Sequence, residues 1–201
     1  MSKSIAVVLL SGLLAACAAD APDPTAAIVV PVYSRSANGS ESSNGGNFGT
    51  PLAAAEEVMP AGVVNQSRAR GNARFRLNAA GDTLAYRLIV ANIENVFQAH
   101  IHRAAAGVNG PIVVWLYPST APVPGEPGQG RIDGVIARGT ITAGNLVGPL
   151  AGSSLAALLD EIKNGNAYVN VHTNDGVAPT NTGPGDFPGG EMRGQLEKRG
   201  H

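Results

Sequence analysis

Three histidines stand where extended backbone would put them to use. His100 and His102 are two apart in Ala99-His100-Ile101-His102, and His172 closes Tyr168-Val169-Asn170-Val171-His172. Side chains two apart in a strand share a face. The same rule aligns Tyr168 and Asn170 with His172, and it aligns Glu191, Arg193 and Gln195 within Glu191-Met192-Arg193-Gly194-Gln195-Leu196. If these segments are sheet neighbours, His100, His102, His172 and Glu191 converge on one point. Neutral imidazole suits zinc or copper, and a three-histidine or histidine/carboxylate set can leave a coordination position open. A competing reading is structural. In it the rings face water or bond to loop carbonyls, Glu191 joins a surface ion pair with a residue such as Arg103, and Asn170 satisfies buried backbone groups. The metal reading has an enzymatic variant, a copper- or zinc-dependent redox or hydrolytic reaction. Nucleophilic catalysis has no support, because no Gly-x-Ser-x-Gly elbow is present.

These side chains need strands to carry them, and the composition supplies strands. Gly 26 and Pro 14 with only 4% aromatic residues describe short elements of Val, Ile, Leu and Ala between frequent turns. Ala73, Phe75 and Leu77 alternate with polar residues. The run 83–90 follows across the loop Ala79-Ala80-Gly81-Asp82, which has the glycine an antiparallel hairpin requires. Further strands are expected at 98–102, 112–117, 134–141, 167–173 and 191–196. Asn109-Gly110-Pro111 makes the turn into the strand at 112, and 118–131, with four prolines, is a long loop. One helix interrupts the pattern. Leu155, Leu158, Leu159 and Ile162 form one apolar stripe, Ser153 or Ser154 stands at its start, and Gly165 stands at its end. The expected fold is all-β, an antiparallel β-sandwich of Greek-key type (superoxide-dismutase-like or immunoglobulin-like) with one short helix.

The N-terminus reads as an address. Lys3 precedes an apolar run too short to remain in a bilayer, so residues 1–16 are expected to be a signal peptide. Leu14-Ala15-Ala16-Cys17 resembles the bacterial lipobox, in which the cysteine is lipidated. Cys17 is the sole cysteine, so no intramolecular disulfide and no cysteine metal cage can form. Acyl chains on Cys17 would hold the protein at a membrane surface, and Ala18 after it resembles lipoproteins sent to the outer membrane. Residues 17–51, rich in Ser, Gly, Asn and Pro, are expected to be a flexible tether, 52–197 a single domain, and 198–201, with His201, a tail. The balance of 14 basic and 15 acidic side chains gives no electrostatic footprint for nucleic acid.

Several ordered motifs carry a family resemblance: Glu57-Val58-Met59-Pro60, Ala99-His100-Ile101-His102, Gly107-Val108-Asn109-Gly110-Pro111, Tyr168 to Thr173, and Pro188-Gly189-Gly190-Glu191-Met192-Arg193-Gly194. Together they resemble the chordin-type (CHRD) domain. The departures are the length of the loop 118–131 and Met59, where the family tends to have proline. The resemblance implies a β-sandwich in an extracellular or cell-surface setting. It implies no defined chemistry. The His-x-His pair is also similar to the copper-ligand strand of copper/zinc superoxide dismutases, but with His201 outside the domain three histidines are too few for a paired copper and zinc site. The leading functional expectation is a membrane-anchored binding or structural module, offering loops 118–131 and 174–188 to an envelope protein or glycan.

Overall fold

The computed structural model describes residues 46–119 and 127–200. The leader, Cys17, most of the tether, residues 120–126 of the proline loop and His201 lie outside the described residues. The elements run β1 (Asn47–Ala53), β2 (Arg70–Leu77), β3 (Leu84–Glu94), β4 (Val96–Arg103), β5 (Ile112–Tyr117), β6 (Arg131–Ile141), α1 (Leu155–Lys163), β7 (Ala167–Thr173), β8 (Met192–Gln195) and β9 (Glu197–Arg199). The strands form one antiparallel sheet in the order β5-β4-β7-β8-β1-β2-β3-β6, with β9 also paired to β1. The sheet curls into a nearly closed, barrel-like sandwich. Its edge strands β5 and β6 approach each other, and the Tyr86 hydroxyl of β3 donates to the Leu116 carbonyl of β5 at 2.9 Å.

Alternation sorts the side chains. Ala73 and Phe75 of β2, Leu84, Tyr86, Leu88 and Val90 of β3, Ile101 of β4 and Val169 and Val171 of β7 all enter one apolar core. The turn between β2 and β3 is tied by Asn78 Oδ1, which accepts from the backbone of Gly81, Asp82 and Thr83 at 2.9, 3.1 and 3.2 Å; Gly81 supplies the positive φ of 79°. The helix lays its expected stripe, Leu155, Leu158, Leu159 and Ile162, into the same core. Its end is a Schellman motif. Gly165, at φ 72°, donates to Ile162 O at 3.1 Å, and Asn166 donates to Glu161 O at 2.8 Å. Ser154 is the N-cap residue but makes no side-chain cap bond.

Two expectations about the strands need correction. The tether was expected to run to residue 51, yet β1 begins at Asn47 and lies between β2 and β8/β9 in the sheet. Gly49 and Pro51 disguise it, since neither favours a strand interior. Pro51 is tolerated because, on the side away from β2, β1 registers with Glu197 at Gly49 and with Arg193 at Ala53, with no registered partner between. Second, the strand expected at 191–196 is broken. β8 starts at Met192, and Leu196, fully buried, separates it from β9.

Candidate metal centre

β4, β7 and β8 are adjacent in the sheet, as the convergence of the histidines required. Across the β4/β7 ladder His100 pairs with Asn170 and His102 with Tyr168; across β7/β8 Asn170 pairs with Arg193. The water-facing half of the structural reading fails. Every residue of β7 is buried, and His100 and His172 are 0% and 5% exposed. The loops on either side close over this face and are held there by its own polar groups. Arg193 donates to the carbonyls of Val108 (2.9 Å) and Ala105 (3.3 Å) and to Asn109 Oδ1 (3.1 Å), and Asn109 Nδ2 donates to Val58 O at 3.1 Å. The fold therefore has an apolar core inside the sheet and a smaller polar core outside it.

The histidines are fixed in orientation by carbonyls. His102 Nδ1 faces Gly110 O and His172 Nδ1 faces Pro188 O, each at 2.8 Å. A carbonyl only accepts, so both Nδ1 atoms carry the ring proton and both Nε2 atoms present lone pairs. Those lone pairs meet His100 Nδ1, at 3.3 Å from His102 and 3.1 Å from His172. Asn170 Oδ1, a further acceptor, lies 2.8 Å from His172 Nε2, while its Nδ2 turns toward Glu57 beside Gly190.

Burial, with the neighbouring rings, depresses His100 to about 2. Burial likewise lowers His172 to about 4, against the opposing effect of its bond to Pro188. His102 is lowered chiefly by desolvation, with the Arg193 charge adding to it and the Gly110 bond opposing it. All three rings are thus neutral at pH 7, and His100 has a single proton to offer. Electron pairs outnumber protons at this point, and the His172 Nε2 to Asn170 Oδ1 contact has no proton at all. A bound cation satisfies such a set. Histidine ligands at about 2.0–2.1 Å in a tetrahedral array lie roughly 3.3 Å apart; the two separations from His100 Nδ1, 3.1 and 3.3 Å, match that value, and the three ligand atoms together lie within 4.8 Å of one another. Ring N–H groups given to backbone carbonyls are the usual outer support of metal-bound histidine. The loop-carbonyl bonds of the structural reading are therefore present, and they also prepare the rings as ligands.

Glu191 does not join the cluster, contrary to the alternation argument. Its Oε2 accepts from Thr173 Oγ1 at 2.6 Å and from Gly185 N at 2.8 Å, and its Oε1 accepts from Ser67 Oγ. Gly190, at φ 133°, turns the backbone just before β8, so Glu191 lies outside the strand and shares the side of Thr173, not that of His172. Nor does it pair with Arg103, whose partner is Glu161 at 2.7 Å. The carboxylate beside the histidine face is Glu57, which alternation could not reach because no strand carries it. Burial raises its pKa, against a bond from Val58 N and the charge of Arg193, and its Oε2 has no hydrogen-bond partner. Its membership in a recognised motif was the only available signal.

Aromatic rings wall the site. The Tyr168 ring stacks on His102 at 4.9 Å and 8°, the Arg193 guanidinium lies 3.3 Å from the centroid of the same Tyr168 ring, and Trp115 meets His100 edge to face at 4.3 Å. Gly110 was expected to be only a turn residue. It also places the carbonyl that orients His102, and a Cβ there would stand 2.0 Å from Arg103 O.

The described residues thus form a mostly β protein, one curled antiparallel sheet with a buried cluster of three histidines that could hold a metal ion. The chain belongs to the CHRD domain family, whose model matches residues 48–196, a span that takes in β1 from Phe48 onward and every residue of the cluster. That membership supports an extracellular binding or structural module. No curated protein and no solved structure matches the chain significantly.

Proposed function

We propose that the protein is a lipid-tethered, extracytoplasmic binding module whose polar core is locked by a zinc or copper ion held by His100, His102 and His172, with Asn170 Oδ1 as the fourth donor. The observation that carries this reading is the excess of lone pairs over protons where the three rings meet. Nitrogen-rich sets favour zinc and copper over calcium or magnesium. Enclosure favours a structural ion over a catalytic one, since a catalytic metal keeps a position that substrate can reach. Such an ion would tie β4 to β7 and hold down the loops that supply Gly110 O and Pro188 O. The apolar run after Lys3 and the lipobox-like Leu14-Ala15-Ala16-Cys17 support the envelope setting of this reading, with Ala18 favouring the outer membrane.

The experiment is a titration of the purified protein with zinc and copper, read by calorimetry and by the fluorescence of Trp115, the only tryptophan. We expect one ion per chain, quenching by copper because Trp115 lies against His100, and loss of both signals in His100→Ala and His172→Ala. Equal and negligible heats in all proteins would overturn the metal reading. Fractionation of cells expressing Cys17→Ser tests the tether: the variant is expected to leave the membrane fraction.

A further inference from the structure

The outer surface of the opposite half of the sheet carries a charge pattern that neither the fold nor the histidine site uses. Arg74 of β2, Arg87 of β3 and Arg138 of β6 are register partners, so three guanidinium side chains stand in one row across adjacent strands. Direct neighbours in such a row have Cα atoms about 5 Å apart. Like charges placed opposite each other destabilise a sheet. Arg76 and Arg199 belong to the next row, both registered with Asn47. All five arginines are exposed, and none forms an ion pair among the described residues. The one acid in the first row is Glu197, separated from Arg74 by Gly49. Overall composition does not explain this concentration, because the chain carries slightly more acidic than basic side chains.

The surface is concave. Gly49, Asn72 and Ala85, which are small or uncharged, line one groove together with Arg74, Arg76, Arg87 and Arg199. We propose that this groove binds an acidic polysaccharide, its carboxylate, sulfate or phosphate groups held by the guanidinium forks and its hydroxyls by Asn47 and Asn72. Arginine presents paired donors that match such oxyanions. A membrane surface fits less well, because among the described residues the large exposed apolar ones, Val64, Val108 and Val177, are not in the groove. Nucleic acid also fits less well. The aromatic residues here, Phe48, Phe75 and Tyr86, are buried and offer no stacking surface. The inference names the ligand class of the binding module proposed above and does not depend on its metal.

The test uses the purified full chain with polygalacturonate and dextran sulfate as probes. Neutral dextran, vesicles of phosphatidylcholine with phosphatidylglycerol, and a DNA duplex serve as alternatives. We expect binding to the two acidic glycans that weakens with added salt and falls roughly tenfold in each of Arg74→Gln and Arg87→Gln, the loss of one charge-assisted contact. Both variants should melt at or slightly above the parent's temperature, since the side chains are exposed and their removal relieves like-charge repulsion in the row. His172→Ala is expected to lose metal and keep the glycan, so failure of one reading is distinguishable from failure of the other. Binding unchanged in the arginine variants, absent for both acidic glycans, equal for neutral dextran, or confined to vesicles or DNA would overturn the proposal.

Discussion

Acidification of the metal-free protein should expose the histidine cluster as a stability liability. The folded state holds His172 at about 4 and His100 at about 2, whereas an unfolded chain takes up its protons near the ordinary value of about 6.5. For groups depressed in this way the unfolded state binds more protons once the pH drops below 6.5. Stability is therefore full above that value and declines as pH falls toward the folded pKa values. Between pH 7.5 and 5 the linkage relation gives a loss of about 2 kcal/mol from His172 and as much again from His100. That is a large share of the roughly 5–15 kcal/mol that holds a typical domain together. Most carboxylates titrate below this window, and Glu57, which burial raises, gains stability on acidification and so can only offset the loss. Guanidinium denaturation at the two pH values in the presence of chelator would measure the loss. Ring-nitrogen NMR would follow the histidines directly, since His201 is the only other histidine. Cluster rings that titrate near 6.5, with stability flat over the window, would refute the argument that burial holds them neutral.

Zinc should stabilise the protein in proportion to its saturation. At one hundred times the dissociation constant the gain is about 2.7 kcal/mol, read as a rise in Tm of roughly 5–11 °C for a domain of this size, and His102→Ala should abolish it. Glu191→Ala should cost about 1–3 kcal/mol in chemical denaturation by leaving buried donors at Thr173 and Gly185 unpaired. Its zinc stoichiometry by calorimetry should remain unchanged, because Glu191 is not a ligand. Gly110→Ala should destabilise by roughly 1–3 kcal/mol, since its Cβ would collide with Arg103 O, and a zinc titration should show weaker binding as the carbonyl that orients His102 moves.

Short-range regularities made most of this protein legible from its residues. Period-two alternation identified the strands around Phe75, Leu88, Ile101 and Val169, and it put His100 with His102 and Tyr168 with His172 on common faces, because successive side chains in extended backbone must point to opposite sides. The leucine stripe from 155 to 162 and Gly165 located the helix for the same kind of local reason. Only the tertiary structure decided which strands are neighbours. Register across β4, β7 and β8 brings the three rings together, and nothing along the chain encodes that adjacency. It also decided that the polar face is covered, because loops closing from distant parts of the sequence remove the water that alternation alone assigns to such a face. Glu191 and Glu57 mark the boundary between the two. A single glycine turn at 190 ended the alternation that would have delivered Glu191, and a loop with no periodicity carried Glu57 in beside the site.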